Sequence, residues 1–150
     1  MRIGVISDTH GLLRPEVATA FAGVDHILHA GDIGGAELLE QLRALAPVTA
    51  CAGNNDGFRC GDAGESARVT LAGARFLVMH IRAEAERELR RAAADVVIFG
   101  HSHKPFDERI GGVWWFNPGS AGPRRFSLPV CVGVLEHARG QWRARHVSLQ

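Results

Sequence analysis

An α/β fold is predicted for this chain, because short apolar runs alternate with amphipathic segments along its first two thirds. The apolar runs are continuous, which is typical of strands buried on both faces. The last third carries strand-like runs separated by turns, without an evident helix. The order β-α-β-α-β, followed by a strand pair, a helix and more strands, therefore indicates the α/β (α+β) class.

The first half of the chain contains three predicted strands and two predicted helices. The strands are expected at residues 3–6, 26–29 and 48–52. The first helix should begin at Pro15, because proline suits the first helical position and Glu16 then lies near the positive helix end. The second helix is expected over residues 36–46, where leucines recur at helical spacing before Pro47 ends it.

The second half of the chain is richer in strands. They are expected at residues 67–71, 75–79, 96–99, 113–116, 130–135 and 142–147, with a turn at residues 72–73. One helix is expected over residues 84–94, where Glu86 and Arg90 are four apart in the stabilising order. Trp114 and Trp115 should point to opposite faces of their strand, one into the core and the other outward.

Composition indicates a single domain spanning residues 1–150, since 46% of the residues are hydrophobic and 22% are charged. The net charge of +1 gives no general attraction to nucleic acid or to a membrane surface. The three cysteines, among them Cys60, lack a zinc-type spacing, so reduced thiols in a cytoplasmic protein are expected. The strand that opens the chain leaves no room for a signal peptide, and no apolar stretch approaches the ~20 residues that span a membrane.

Side chains of metal-binding type follow five of the predicted strands. They are Asp8, His10, Asp32, Asn54, His80, His101 and His103. In an open α/β sheet the carboxyl ends of the strands line one crevice, where ligands bind. A lone His-x-His or Asp-x-His pair arises readily by chance, but repeated placement at strand ends does not. We therefore expect these side chains to converge at a single site.

This set exceeds the needs of one metal ion and suits two, with Asp32 as a bridging carboxylate. The mixture of imidazole, carboxylate and carboxamide favours Mn²⁺, Fe²⁺ or Zn²⁺ over Ca²⁺. Two such ions ~3.5–4 Å apart can hold a hydroxide between them and neutralise the attacking and leaving oxygens at phosphorus. The chemistry that this arrangement predicts is phosphate-ester hydrolysis.

The order of the motifs D-x-H, GD, GN-x-D, H and GH-x-H resembles the calcineurin-like metallophosphoesterase superfamily. The NPGS segment at residues 117–120 resembles the small prokaryotic YfcE-type branch of that superfamily. The resemblance runs from residue 2 to about residue 135. It implies a four-layer α/β/β/α sandwich with two central mixed β-sheets, and a phosphodiesterase in which a metal-bridging hydroxide attacks phosphorus in line.

The resemblance also implies which residue binds which ion. Asp8, His10, Asp32 and His103 would bind the first metal ion, and Asp32, Asn54, His80 and His101 would bind the second. The expected cofactors are two divalent ions, with Mn²⁺ favoured and Fe²⁺, Zn²⁺ or Ni²⁺ as alternatives.

Two departures from the family pattern bear on catalysis. The residue after the metal-binding asparagine is commonly a histidine that assists the leaving group, whereas here it is Asn55. An amide can donate a hydrogen bond but cannot act as a general acid, so we expect a preference for phosphodiesters or aryl esters with good leaving groups. His80 is commonly followed by glycine and a loop over the site. Here Ile81 and Arg82 lead almost directly into a helix, which predicts a more open pocket.

His80 and Asp56 each allow two interpretations. His80 could be a metal ligand with a catalytic role, or a histidine of the core. Asp56 could assist catalysis by orienting a ligand, or it could only shape its turn. His26 and His29 lie within a strand and are expected to be structural, whereas His146 is expected at the surface.

The leading interpretation is an enzyme, a phosphoric ester hydrolase acting on a small phosphate ester without a membrane partner. The alternative is a non-enzymatic protein-interaction scaffold of the same fold, as in a retromer subunit, because a fold alone does not define a function. The full set of ligand-competent residues favours the enzyme. A repair-type nuclease fits poorly without a basic excess, and the formation of homo-oligomers stays open.

Overall fold

Two five-stranded sheets dominate the computed structural model, which describes residues 1–57 and 63–150. In chain order the strands are β1 (Arg2–Ile6), β2 (His26–His29), β3 (Val48–Ala50), β4 (Ser66–Leu71), β5 (Ala74–Met79), β6 (Val96–Ile98), β7 (Phe106–Ile110), β8 (Val113–Asn117), β9 (Cys131–Ala138) and β10 (Gln141–Ser148). The helices of the described residues are α1 (Glu16–Ala20), α2 (Ala36–Arg43) and α3 (Arg82–Arg91).

Each sheet combines a parallel centre with antiparallel edges. In the first sheet, ordered β10-β9-β1-β2-β3, β1 pairs in parallel with β2 and β2 with β3, while β9 runs antiparallel to β1 and β10. In the second sheet, ordered β4-β5-β6-β8-β7, β6 pairs in parallel with β5 and β8, while β4 and β7 are antiparallel to their neighbours. The parallel strands of each sheet therefore end at a common edge.

The two sheets pack face to face, and helices cover both outer faces. Leu28 of the first sheet and Val78 of the second belong to one buried cluster between the sheets. A second cluster buries the outer face of the first sheet against α1 and α2, close to Phe21. A third buries Trp115 of the second sheet with Ala85 of α3. These layers confirm the predicted four-layer α/β/β/α sandwich with two mixed sheets.

The helices are short and depend on this packing, because isolated helices of such length are marginal in water. Leu38, Leu39 and Leu42 of α2 are buried and follow the helical spacing of the sequence. The helix ends at Arg43, somewhat earlier than the leucine pattern indicates. In contrast, α3 begins at Arg82, earlier than expected, so that it directly follows the residues after β5.

Three details differ from the expectations. The sequence analysis misses β7, because most of its residues are charged and exposed at the edge of the second sheet. Trp114 and Trp115 do point to opposite faces, Trp114 between the sheets and Trp115 outward, but Trp115 is not exposed, because α3 covers the outer face. His146 is half-buried rather than exposed. Its ring stacks on Phe116 with centroids 4.8 Å apart, and its Nε2 lies 2.8 Å from the Asn117 carbonyl oxygen.

Cys51 and Cys131 are buried free thiols, and burial raises the pKa of Cys131 to about 11. Such thiols are unreactive at neutral pH. Cys60 lies outside the described residues. Within residues 1–57 and 63–150, no helix combines the length and the apolar character that a membrane crossing requires.

Candidate metal centre

The predicted ligands lie where the strands of both sheets end. The first sheet contributes the residues that follow β1, β2 and β3, and the second contributes those that follow β5 and β6. In chain order they are Asp8, His10, Asp32, Asn54, His80, His101 and His103. The two groups meet across the interface between the sheets, since His80 and His103 both approach the Asp8 carboxylate.

The Asp8 carboxylate has one anchored oxygen and one free oxygen. Oδ2 accepts hydrogen bonds from the Ser7 hydroxyl at 2.7 Å and from the His101 backbone N–H at 3.2 Å. Oδ1 is buried without a hydrogen-bond partner, and it lies 3.4 Å from His103 Nε2 and 3.8 Å from His80 Nε2. The anchored oxygen therefore holds the free one toward two imidazoles.

The Asp32 carboxylate lies close to two other imidazole nitrogens. Its Oδ2 is 3.7 Å from His10 Nε2 and 3.4 Å from His80 Nε2. The Asn55 backbone N–H donates to Asp32 Oδ1 at 3.0 Å, and the Asn55 side-chain amide donates to Oδ2 at 3.1 Å. Asn55 therefore holds Asp32 with both a backbone and a side-chain donor.

The His80 ring is buried, and one hydrogen bond fixes its orientation. Its Nδ1–H donates to the Ala30 carbonyl at 2.7 Å, which leaves the lone pair on Nε2. Nε2 has no hydrogen-bond partner and faces the carboxylates of Asp8 and Asp32. An imidazole anchored through one nitrogen, with the other free, is typical of a metal ligand. This geometry favours the ligand interpretation of His80 over the core interpretation.

The unpartnered atoms of the site fit divalent cations. Asp8 Oδ1, His10 Nε2 and His80 Nε2 are all buried polar atoms without a hydrogen-bond partner, an arrangement that is costly unless a ligand satisfies them. Two groups have ligand atoms within 4.8 Å of one another, Asp8 with His10 and His103, and Asp8 with Asp32 and His80. Imidazole nitrogens with carboxylate oxygens suit divalent transition ions. In this arrangement Asp8 belongs to both groups, whereas the sequence argument gives the shared role to Asp32.

Two predicted ligands lie at the periphery of these groups. His101 is exposed, and its ring centroid is 5.2 Å from that of His80. Asn54 is exposed in the turn after β3, directly before Asn55. The backbone of His101 contacts Asp8, and the residue after Asn54 contacts Asp32. The assignment of the two side chains as ligands stays a prediction.

The carboxylates and imidazoles of the site shift one another's ionisation. Burial raises the pKa of Asp8, but the adjacent imidazoles of His103 and His80 outweigh burial and hold it below its ordinary value. Burial likewise opposes ionisation of Asp32, but the adjacent His80 imidazole and the hydrogen bonds from Asn55 lower its pKa well below the usual range. Burial lowers the pKa of His80, but the adjacent carboxylates of Asp32 and Asp8 more than reverse this and raise it. Both carboxylates are therefore anionic at neutral pH.

The backbone adopts the left-handed conformation at most of the predicted ligands. Positive φ angles occur at Asp8 (56°), His10 (48°), Asp32 (54°), His101 (70°) and His103 (63°). Aspartate and histidine tolerate this region better than most residues. These five residues follow β1, β2 and β6, and such conformations concentrate at functional sites.

Two glycines let the loops of the site approach each other. A Cβ on Gly100 would lie 2.1 Å from the Ser7 hydroxyl oxygen, and a Cβ on Gly53 would lie 2.2 Å from the Asp32 backbone nitrogen. These distances leave no room for a side chain. The loop after β6 is therefore pressed against Asp8, and the loop after β3 against Asp32.

Asp56 is a buried carboxylate that joins two loops of the site. Its Oδ1 accepts hydrogen bonds from the backbone N–H groups of Ile33 at 2.8 Å and Gly34 at 3.1 Å, and its Oδ2 accepts one from Gly53 at 2.6 Å. It ties the loop that carries Asp32 to the loop after β3. The structure favours the interpretation in which Asp56 shapes the backbone. It does so in two loops rather than in a single turn.

His29 connects the loops after β1 and β2. Its Nδ1 accepts the Gly31 backbone N–H at 3.1 Å, so its Nε2–H donates to the Thr9 hydroxyl at 3.0 Å. The Thr9 hydroxyl in turn donates to the Ile33 carbonyl at 2.8 Å. His29 is thus structural, and the structure adds that its hydrogen bonds reach both loops that hold carboxylates.

The sequence analysis uses the NPGS segment as a family mark and assigns it no contacts. The Asn117 side-chain amide donates to the Gly100 carbonyl and to the Ser102 hydroxyl, both at 3.2 Å, and the Ser120 hydroxyl donates to the Asp8 carbonyl at 3.3 Å. The segment follows β8, which lies next to β6. That adjacency, had it been predicted, would have placed the segment beside the histidine pair.

The four-layer fold presents a buried set of carboxylates and imidazoles that fits divalent cations. A family model described as the calcineurin-like phosphoesterase superfamily domain matches residues 1–140, and this chain belongs to that superfamily. It is 35% identical over 141 residues to a probable metallophosphoesterase of Methanothermobacter thermautotrophicus, which covers 86% of this chain and 82% of that protein. The predicted superfamily is therefore confirmed, and with it a metal-dependent phosphoesterase that uses divalent cations.

Two solved structures show the same fold. The structure of an archaeal phosphodiesterase is similar with a TM-score of 0.81 and 25% identity, over 98% of this chain and 100% of that chain. A Vps29 single mutant from Entamoeba histolytica is similar with a TM-score of 0.77 and 23% identity, over 100% of both chains. The second likeness concerns the fold alone.

Proposed function

We propose that this protein is a dinuclear metal-dependent phosphodiesterase that hydrolyses a small phosphate ester by in-line attack of water, without a covalent enzyme intermediate. The proposal is carried by three buried, unpartnered ligand atoms that come from both sheets, Asp8 Oδ1, His10 Nε2 and His80 Nε2. The likeness to an archaeal phosphodiesterase over nearly the whole chain supports the class of substrate.

The residues proposed to hold the cations are those of the two sheets. Asp8, His10, Asp32 and His103 would hold one ion, and Asp32, Asn54, His80 and His101 the other. This mixed donor set favours Mn²⁺, with Fe²⁺, Zn²⁺ and Ni²⁺ as alternatives. When bound, two such ions would supply the charge that ionises a water molecule near neutral pH and neutralises the attacking and leaving oxygens at phosphorus.

The surrounding residues hold the ligand atoms in place. Ser7 and the His101 backbone fix Asp8, and the Ala30 carbonyl directs the free nitrogen of His80 toward the site. Ligand atoms held by their own hydrogen bonds need little rearrangement when they bind, which favours both affinity and catalytic geometry.

Asn55 is proposed to position Asp32 and to leave the departing oxygen without a proton donor. Its backbone and side-chain donors are both engaged with the Asp32 carboxylate. An amide cannot serve as a general acid. The leaving group must therefore depart with little help from protonation, so esters of acidic alcohols and phenols should be the better substrates.

The proposed function is tested by hydrolysis of bis(p-nitrophenyl) phosphate. Metal-stripped protein should be inactive, and added Mn²⁺ should restore activity. The Asp32→Asn variant should lose at least about 100-fold, because changing even the hydrogen-bond partners of metal ligands costs 10–100-fold. The absorbance of the released nitrophenolate measures the rate.

The matched control is Glu37→Gln, which makes the same carboxylate-to-amide change at an exposed position in the first turn of α2. It should keep the activity of the Mn²⁺-loaded protein. Equal rates for metal-stripped protein, Mn²⁺-loaded protein and the Asp32→Asn variant would refute the proposed enzymatic function. That outcome would favour the interaction scaffold.

The substrate preference tests the proposed role of Asn55. General acid catalysis contributes roughly 10²–10⁴-fold where it operates, so the protein should turn over an activated aryl diester at least about 100-fold faster than an alkyl monophosphate. The Asn55→His variant, which restores an ionisable side chain, should narrow this ratio. Comparable turnover of the two substrates by the unmodified protein would contradict the proposal.

A further inference from the structure

A groove leads away from the candidate metal centre along the start of α3. Its volume is about 300 Å³, and apolar side chains of Ile81, Phe99 and Phe106 line it. The loop that carries His101 also lines the groove. The groove therefore borders the candidate metal centre on the side of His101.

Arg82 provides a flat cationic surface in this groove. Its Cζ lies 4.9 Å from the ring centroid of Phe106, 5.1 Å from that of Trp115 and 5.7 Å from that of Phe99. Its Nε lies 3.5 Å from Glu86 Oε1, and 39% of the side chain is exposed. Aromatic rings and an acidic side chain thus hold the guanidinium, while part of it faces the groove. A planar guanidinium stacks well on aromatic faces.

Among residues 1–57 and 63–150, the lining of this groove stays open to solvent on the side of α3. Ile81 is the extended residue that precedes α3, and the helix begins at Arg82, so no loop intervenes between His80 and α3. Lys104 is exposed and adds a second cation to the lining of the groove. The groove therefore offers apolar and stacking surfaces with positive charge beside the proposed phosphate site.

We propose that this groove binds one aromatic ester arm of a phosphodiester whose phosphate lies at the metal centre. The inference rests on the proposed function and adds the chemical class of the substrate, a phosphodiester with at least one planar aromatic group. Stacking on Arg82 and contact with Phe106 would favour such an arm over a small alkyl arm. The positive charges of Arg82 and Lys104 complement the anionic phosphodiester.

The test compares binding of diphenyl phosphate and dimethyl phosphate to Mn²⁺-loaded protein by calorimetry. Phenoxide is a much poorer leaving group than nitrophenoxide, so diphenyl phosphate is hydrolysed more slowly than the assay substrate and suits an equilibrium measurement. The unmodified protein should bind it at least tenfold more tightly than dimethyl phosphate. In Arg82→Lys, which keeps the charge and removes the flat surface, and in Phe106→Leu, this preference should fall at least threefold.

Arg90→Lys is the matched control, since Arg90 is an exposed arginine of the same helix that does not line the groove. It should keep the full preference. Equal affinity for the two esters, or a preference that both groove variants retain, would overturn the inference even if bis(p-nitrophenyl) phosphate is hydrolysed. A groove-dependent preference in a protein that hydrolyses neither aryl nor alkyl diesters would overturn the proposed function and leave the groove assignment standing.

Discussion

Gly100 allows the loop that carries His101 and His103 to pass against Asp8. A Cβ at this position would lie 2.1 Å from the Ser7 hydroxyl oxygen and 2.8 Å from Asp8 Oδ2. The hydrogen bond from the His101 backbone to Asp8 depends on that close approach. A residue without a functional group of its own thereby positions the residues proposed as ligands.

We expect Gly100→Ala to weaken Mn²⁺ binding by about 10–100-fold, the range found when groups that orient metal ligands are changed. Calorimetric titration of metal-stripped protein measures the affinity. Gly64→Ala is the matched control, because a Cβ there would have its nearest neighbour at 3.8 Å. Unchanged affinity in Gly100→Ala would show that the approach of the two loops is not needed.

His29 is a fully buried residue, and burial lowers its pKa to about 4. An unfolded histidine titrates near pH 6.5. Between these values the unfolded chain binds a proton that the folded chain does not, so the free energy of unfolding falls as the pH drops from about 6.5 toward 4. The difference corresponds to about 3 kcal/mol.

We expect His29→Gln to reduce this loss of stability in acid, because glutamine does not bind a proton when the chain unfolds. Urea unfolding of metal-stripped protein at pH 7 and pH 4.5 measures the loss in each variant. His137→Gln makes the same change at a half-buried histidine of β9 and is the control for the substitution itself. The same acid dependence in His29→Gln and in unmodified protein would be evidence against this role of His29.

At the scale of elements, strands set the positions in the candidate site and loops carry its side chains. The loops after β2 and β3 contact each other through Asp56, which accepts hydrogen bonds from the backbones of Ile33, Gly34 and Gly53. Asp56 therefore braces the two loops against each other, together with the hydrogen bonds of Asn55 and Thr9 to the loop after β2.

We expect Asp56→Ala to lower the free energy of unfolding by at least about 3 kcal/mol, because hydrogen bonds to a charged group contribute about 1.5–3 kcal/mol each and three donors lose their acceptor, although water can replace part of it. Mn²⁺ affinity should fall as well, since the loop that holds Asp32 is released. Asp56→Asn keeps one acceptor oxygen, so it should lose less stability and less Mn²⁺ affinity than Asp56→Ala. Glu37→Ala, at an exposed site on α2, is the control for removal of a carboxylate. Full stability and full affinity in Asp56→Ala would contradict the bracing role.

At the scale of the whole molecule, the candidate site lies across the interface between the two sheets. Asp8, His10 and Asp32 follow strands of the first sheet, whereas His80 and His103 follow strands of the second. A cation bound by both groups would connect the sheets. Metal binding should therefore stabilise the fold as a whole.

Mn²⁺ at 100 times its dissociation constant should raise the free energy of unfolding by about 2.7 kcal/mol, provided that the unfolded chain does not bind it. For a chain of this size the melting temperature should rise by roughly 5–10 °C. Scanning calorimetry with and without a chelator measures the shift. Glu37→Gln should keep it and Asp32→Asn should lose most of it. An equal shift in Asp32→Asn would place the bound ions elsewhere.

The sequence predicts most elements of this fold because buried strands and amphipathic helices have characteristic patterns. It misses β7, an edge strand with exposed charged residues, because such a strand has no apolar pattern. It predicts correctly that Trp114 and Trp115 point to opposite faces, but not that Trp115 is buried, because the pattern of one strand does not show whether a helix covers the outer face of its sheet.

The sequence by itself determined the order of the elements apart from β7, the superfamily and the residue types that could bind metal, since each of these depends on local patterns and on the rule that parallel strands end together. Only the tertiary structure decided which atoms meet. The contacts of Asp56, His29 and Asn117 are made to backbone groups or side chains of distant segments, and no local pattern encodes them. They arise when the two sheets and their loops are packed together.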